Sequence, residues 1–215
     1  MSKKGKVISA VVVVAGCLAL AGSVVQNNSQ ANGKVSLSDF GKVLEKEYKN
    51  PEEVSRKNLY AKGKYSEITK TDMEKAIVYY KSAGMSDEEA EKEAYKYEKE
   101  SAALCTEAMK AGCKATDKEV TDYVSDMRAE YEGKKLDESS QKQVDEIIAQ
   151  FDSPEDYWKY EKTVYQKLLP QIKYREKLEK EYSEKHAGDS KADWGKYFDN
   201  YRKEIVEKED FKLVK

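Results

Sequence analysis

Apolar residues recur at steps of three, four and seven along the middle of the chain: Ala90, Ala94, Tyr97, Leu104, Cys105 and Ala108, with Glu and Lys between them. That period matches one face of an α-helix, and it predicts a helix of roughly 25 residues, about 37 Å long. Ser86 stands at the N-cap with Glu89 three residues on, a capping box. The hydroxyl accepts from a free backbone N–H and the carboxylate reaches back to the cap's own N–H. Gly112 supplies the stop. Thr116 and Glu119 make a second box, and Val120, Tyr123, Val124, Met127 and Tyr131 give the next apolar stripe. A long helix, a short break and a second helix form the centre of the chain.

Shorter patterns flank this pair. Phe40, Val43 and Leu44 share one side of a short helix starting at Ser36, which Asn50-Pro51 breaks. PEEVSRKNLY (51–60) reads as a further turn or two of helix, and Gly63 marks a turn between two short extended pieces within Tyr60 to Glu67. Thr69 and Asp72 then form another cap, with Ile68 stapled onto Met73, and Met73, Ala76, Ile77 and Tyr80 continue a helix as far as Gly84. Beyond Gly133, Val144, Ile147, Ile148 and Phe151 mark one helix. Ser153-Pro154-Glu155-Asp156 opens the next with a Ser cap, Pro at N1 and acids in the first turn. That helix carries Trp158, Glu161, Tyr165, Leu168, Leu169 and Ile172 to about Lys185 and is expected to bend at Pro170. After Gly188-Asp189-Ser190 comes a stripe of Trp194, Tyr197, Phe198 and Tyr201, and Phe211 to Val214 reads as a short strand. The predicted class is all-α, a multi-helix domain with at most a short β element. The stripes restart after each cap, which favours a folded domain over a continuous coiled coil.

Composition sharpens this picture. Charged residues are 37% of the 215 and apolar ones 39%, against about 25% and about 45–50% in ordinary domains. The excess of charge suits slender helices with solvated outer faces, while 16 Tyr and 2 Trp argue for folding over disorder. Without Lys3, Lys4 and Lys6, the 39 basic residues fall to 36 against 41 acidic ones, a net of −5. A mildly acidic body lacks the clustered positive face that phosphate contacts require, so nucleic acid is excluded as a partner.

Those three lysines precede Val7 to Val25, an uncharged apolar run. A basic region before such a run directs membrane insertion with the N-terminus in the cytoplasm. Three fates are open. The run nearly matches the ~20 residues that span a bilayer, as an uncleaved anchor would. Ser29-Gln30-Ala31 places small residues for cleavage after Ala31. Val14-Ala15-Gly16-Cys17 resembles a bacterial lipobox, with Cys17 as the lipidated residue, although Leu18 to Val25 stays apolar where mature lipoproteins turn polar. Each fate puts the body outside the cytoplasm.

No catalytic constellation emerges. The single histidine, His186, has no Ser or Cys nucleophile in a recognisable context. Cys105 and Cys113, if on one helix, lie about 12 Å apart, beyond the ~7 Å Cα limit for a disulfide. One His and two Cys make no zinc site, and none of the carboxylates sits in a setting that would raise its pKa. No phosphate-binding loop, EF-hand loop or nucleophile elbow is present. The expectation is a protein that is not an enzyme and has no cofactor or metal. The aromatic and Met positions have two readings, packing in a core or lining an open groove for loose contact with unfolded segments. Tyr97, Leu104, Met109, Tyr123, Met127, Trp158, Tyr165 and Leu168 are the residues in question.

In its order of elements the chain resembles the peptide-binding domain shared by the SurA, PrsA and trigger-factor chaperones. The resemblance rests on Ile68-Thr69-Lys70-Thr71-Asp72-Met73 leading into a helix and on EAMKAGC (107–113) ending the long one. It rests also on Ala115-Thr116-Asp117-Lys118-Glu119-Val120 opening another, and on SPEDYW and KLLPQIKYREKLEKEY (167–182) in the last. It covers roughly Tyr60 to Tyr182 and consists of caps and apolar steps; Cys113-Lys114-Ala115 stands where that family prefers apolar residues. The foldases among these proteins carry a parvulin domain of ~90 residues, for which this chain has no counterpart, so prolyl isomerase activity is not expected. The resemblance implies a SurA N-terminal-like, chaperone-like protein of the bacterial cell envelope, membrane-anchored or secreted, that binds unfolded or exported polypeptides. The alternative is a helical scaffold at the cell surface that binds one specific partner or itself. The expected organisation is a signal peptide or anchor with a polar tether (1–31), a short helical extension (32–59), the helical domain (60–185), and a C-terminal helix and tail (186–215).

Overall fold

The computed structural model describes residues 35–51 and 58–214. Among them helices dominate: α1 (Leu37–Lys49), α2 (Lys70–Ser82), α3 (Asp87–Lys110), α4 (Asp117–Glu132), α5 (Glu138–Ile148), α6 (Pro154–Lys185) and α7 (Lys191–Glu209). Three short strands accompany them, β1 (Leu59–Lys62), β2 (Glu67–Thr69) and β3 (Lys212–Leu213).

Local chemistry explains why each helix begins where it does. Ser36, Thr69, Ser86, Thr116 and Ser190 each close a full capping box, with Asp39, Asp72, Glu89, Glu119 and Asp193 answering from N3. Asp137 caps α5, and Ser153 caps α6 with Pro154 just inside. α3 stops at Gly112, whose φ of +72° favours a residue without a Cβ, and the Cys113 N–H then donates to the Ala108 carbonyl at 2.9 Å. After α4 the left-handed position falls on Lys134 rather than Gly133, and the Lys135 N–H closes the end on the Glu130 carbonyl at 3.0 Å. α6 runs unbroken through Pro170.

The helices pack around two apolar clusters that share α3. The smaller joins Ala61, Ile68, Met73, Ala76 and Tyr80 to Ala90, Ala94 and Tyr97 from the first half of α3. The larger takes Leu104 and Ala108 from its second half, with α1, α4, α5, α6 and α7 around them. α1 and α7 are part of this core, because Phe40, Leu44, Trp194, Phe198 and Ile205 are buried in it. Arg202 also binds Glu100, at 2.5 Å, fastening α7 to α3.

Gly41 shows how closely α1 approaches α5. A Cβ there would meet Gln150 Cγ at 2.7 Å and the Ile147 carbonyl oxygen at 3.0 Å. Gly41→Ala gains helix propensity yet should lower stability by about 1–3 kcal/mol, because the helices must separate; urea unfolding measures the shift.

The sheet has the order β2-β1-β3, antiparallel throughout. Tyr60 is extended, as expected for the piece before Gly63, and the strand takes in Leu59 as well; β1 pairs on both sides, with Ile68 and Leu213 opposite Ala61. Residues 52–57 lie outside the described residues, as do the apolar run Val7–Val25, Cys17 and the tether. No helix of the described residues is long and apolar enough to cross a membrane.

Candidate functional site

The expected groove residues do not form one surface. Leu104, Met127, Trp158 and Tyr165 are buried in the larger cluster. Trp158 is packed between Tyr157 and Tyr131, with ring centroids 5.0 and 5.8 Å away, and the half-buried Tyr123 lies 5.0 Å from Tyr165. These stripes face one another, so a peptide cannot reach them without unpacking the core; for them the groove reading gives way to the core reading. Met109 is half exposed on the outer surface. Tyr97 and Leu168 differ: both are buried, yet both contribute to the wall of a half-open cleft.

That cleft, about 470 Å³ in volume, opens where the two clusters meet, between α1, α2, α3 and α6. Tyr48, Tyr97, Tyr160, Val164 and Leu168 give it an apolar wall, and Glu47, Asp72, Lys75, Glu98 and Lys167 give it charge. The capping box of α2 fixes one end. Asp72 accepts from the Thr69 hydroxyl at 2.6 Å and the Thr69 N–H at 3.2 Å, and its other oxygen lies 3.5 Å from Lys75, one turn further on. Lys75, itself buried, reaches Glu47 of α1 at 3.0 Å, and the Tyr160 hydroxyl of α6 donates to the same carboxylate at 2.8 Å. Three helices are thus tied together by one polar chain.

Glu98 enters from α3 and makes no hydrogen bond or ion pair among the described residues. Burial, and then the negative charges of Asp72 and Glu47, push its carboxyl up to about 8, against the pull of Lys75 and Lys167. Asp72 goes the other way. Burial alone would raise it, but Lys75 and the Thr69 hydrogen bonds hold it below the usual carboxylate range. The folded state therefore binds a proton at Glu98 that the unfolded chain releases near pH 4.5. Its contribution to stability falls as pH rises from about 4.5 to about 8. Glu98→Gln should be nearly neutral in stability at pH 4 and stabilising at pH 8, which unfolding curves at the two pH values check.

Two further acceptors belong to residues of the cleft lining. Gln171 is only 4% exposed, and its Nε2 donates to the Lys167 carbonyl at 3.3 Å. That bond sets the amide orientation and leaves Oε1 buried with no partner among the described residues. Pro170 has no N–H to offer the carbonyl of Gln166, another lining residue.

The sequence contains the signal for Glu98, which falls four residues after Ala94 on the inward stripe of α3. The expectation that no carboxylate sits in a pKa-raising setting is overturned here by Glu98.

Elsewhere the chemistry is already committed. A second cavity, of about 380 Å³, has Arg175 and Arg202 against the Phe198 ring, and Arg202 also bonded to Glu100 and Asp199. His186 ends α6 stacked on Tyr182 at 4.3 Å. Cys105 and Cys113 are free thiols, and burial pushes that of Cys105 up. Among the described residues no group of His, Cys, Asp and Glu is arranged to hold a metal ion. The cleft stands as the site. No family model, curated protein or solved structure matches the chain.

Proposed function

We propose that this is an extracytoplasmic chaperone-like protein, of the SurA N-terminal type and without isomerase activity, that holds short extended stretches of unfolded or exported polypeptide in the cleft. The observation that carries the reading is the cleft's make-up. It has the volume of a ligand pocket, an aromatic and aliphatic wall, and a few polar groups gathered on it. Tyrosine rings present large apolar faces with a polar tip, which suits contact with many different sequences. The location rests on the basic region and apolar run at the N-terminus.

A second reading, a scaffold for one dedicated partner, draws on β3. It is an edge strand, with Leu213 and Val214 exposed, and a partner's strand can add to such an edge.

The test follows light scattering of a chemically unfolded client with and without residues 32–215, beside an unrelated acidic helical protein. Suppression well beyond that control at near-stoichiometric amounts is the expected result. No suppression across several clients would sink the chaperone reading and favour the dedicated partner.

A further inference from the structure

Resting on the cleft reading, we infer that the cleft selects polypeptide segments carrying an arginine or lysine, whose cationic head is taken by Glu98 and Gln171. The argument starts from what is already satisfied. Glu47 is bonded by Lys75 and Tyr160, and Asp72 by Thr69 and Lys75. Glu98 and the Gln171 Oε1 are acceptors on the same lining with no donor among the described residues, and Gln171 is almost wholly buried. A ligand that answers both needs several N–H donors and, opposite the carboxylate, a positive charge. Guanidinium and ammonium groups have both, and their alkyl stems match the apolar wall of Tyr97, Val164 and Leu168.

The charges of the lining agree once Glu98 is ionised. Two carboxylates, Glu47 and Asp72, balance two amines, Lys75 and Lys167, and the ionised Glu98 adds the negative charge that the ligand's cation answers. Lys75 is held by its two carboxylates, whereas Lys167 is an exposed side chain with no ion pair among the described residues. Lys167 is thus the one competitor for Glu98 in the lining. It repels an incoming cation, and its free position lets it swing away.

Binding carries a proton balance. Before the cation arrives Glu98 holds a proton at neutral pH; as the cation docks, that proton passes to solvent and the carboxylate pairs with the ligand. Affinity for a cationic segment therefore rises between pH 6 and pH 8. Affinity for its neutral counterpart does not follow that trend.

The test uses the full chain in lipid nanodiscs and fluorescence anisotropy of two labelled extended peptides. They are identical except that one has a central arginine and the other citrulline, its uncharged near-isostere. The arginine peptide is expected to bind about tenfold more tightly. Glu98→Gln should bring it down to the citrulline level, and Lys167→Gln, at an exposed position, should tighten arginine binding. Equal binding of the two peptides, with both saturable, overturns the cation preference and leaves the cleft reading intact. Binding of neither overturns both. Competition by agmatine as strong as by the arginine peptide overturns the polypeptide as the source of the cation.

Discussion

Trp158→Ala should lower the free energy of unfolding by about 3–5 kcal/mol, the cost of emptying a large aromatic site in a close-packed core. Trp158 is buried between Tyr157 and Tyr131, and Tyr157 in turn packs edge-on against Phe151. The loss therefore spreads through an aromatic cluster linking α4, α6 and the turn before it. Denaturant unfolding checks the value, and the comparison with Met109→Ala makes it diagnostic. Met109 is half exposed, and its truncation should stay within about 0.5 kcal/mol of wild type. If Trp158 lined an open groove, the two substitutions would have similar small costs and only Trp158→Ala would weaken client binding. A small loss of stability for Trp158→Ala would contradict the packing described here.

Lys75→Met is expected to cost about 3 kcal/mol at pH 7, because removing one partner of a buried ion pair leaves the other charges uncompensated. The Lys75 and Glu47 side chains are only 10% and 13% exposed, and Asp72 lies 3.5 Å from the same amine. With the lysine gone, Glu47 and Asp72 face each other and Glu98 across the cleft. The deficit should shrink as pH falls, since protonation of these carboxylates relieves the repulsion that the lysine had balanced. Asp72 supplies the sign in the wild type: held below its ordinary value, it contributes stability above that value and loses it as pH falls through the lowered one. Adding Glu47→Gln to Lys75→Met should restore about 1 kcal/mol, as the Tyr160 hydroxyl can still donate to the amide oxygen. Unchanged stability of the double variant relative to Lys75→Met would show that Glu47 is solvated rather than held in the cluster.

Helix starts were legible in the sequence because capping is local. Thr69 and Asp72, or Ser86 and Glu89, meet within one turn whatever the rest of the chain does. The helical character and the short strands near Gly63 and Phe211 followed from equally local signals. What escaped was decided by distant neighbours. A stripe such as Tyr123, Val124 and Met127 states which side of α4 is apolar, but only packing against α6 tells that this side is filled rather than open. Glu98 reads as one acid among many until Glu47 of α1 and Asp72 of α2 are brought beside it. Leu59 and Tyr60 lie where two local signals meet, the helical turn opened at Pro51 and the extended piece before Gly63. Pairing of Leu59 with Thr69, and of Tyr60 with Val214 at the other end of the described chain, decides for the strand. α6 continues as helix through Pro170, and the loss falls on the Gln166 carbonyl, which has no N–H there to accept from.

The pairing of β3 with β1 sets an order of events in folding. β1 and β2 can close their hairpin early, since Gly63 and Ser66 bond within the turn at 2.8 Å. The outer edge of β1 then waits, its Tyr60 carbonyl without the Val214 N–H that eventually meets it at 2.9 Å. A contact between such remote segments is slow to form and adds little until most of the chain is in place. The sheet is thus finished by residues about 150 positions from β1, and until Lys212 and Leu213 dock, the outer edge of β1 presents an open template to neighbouring strands.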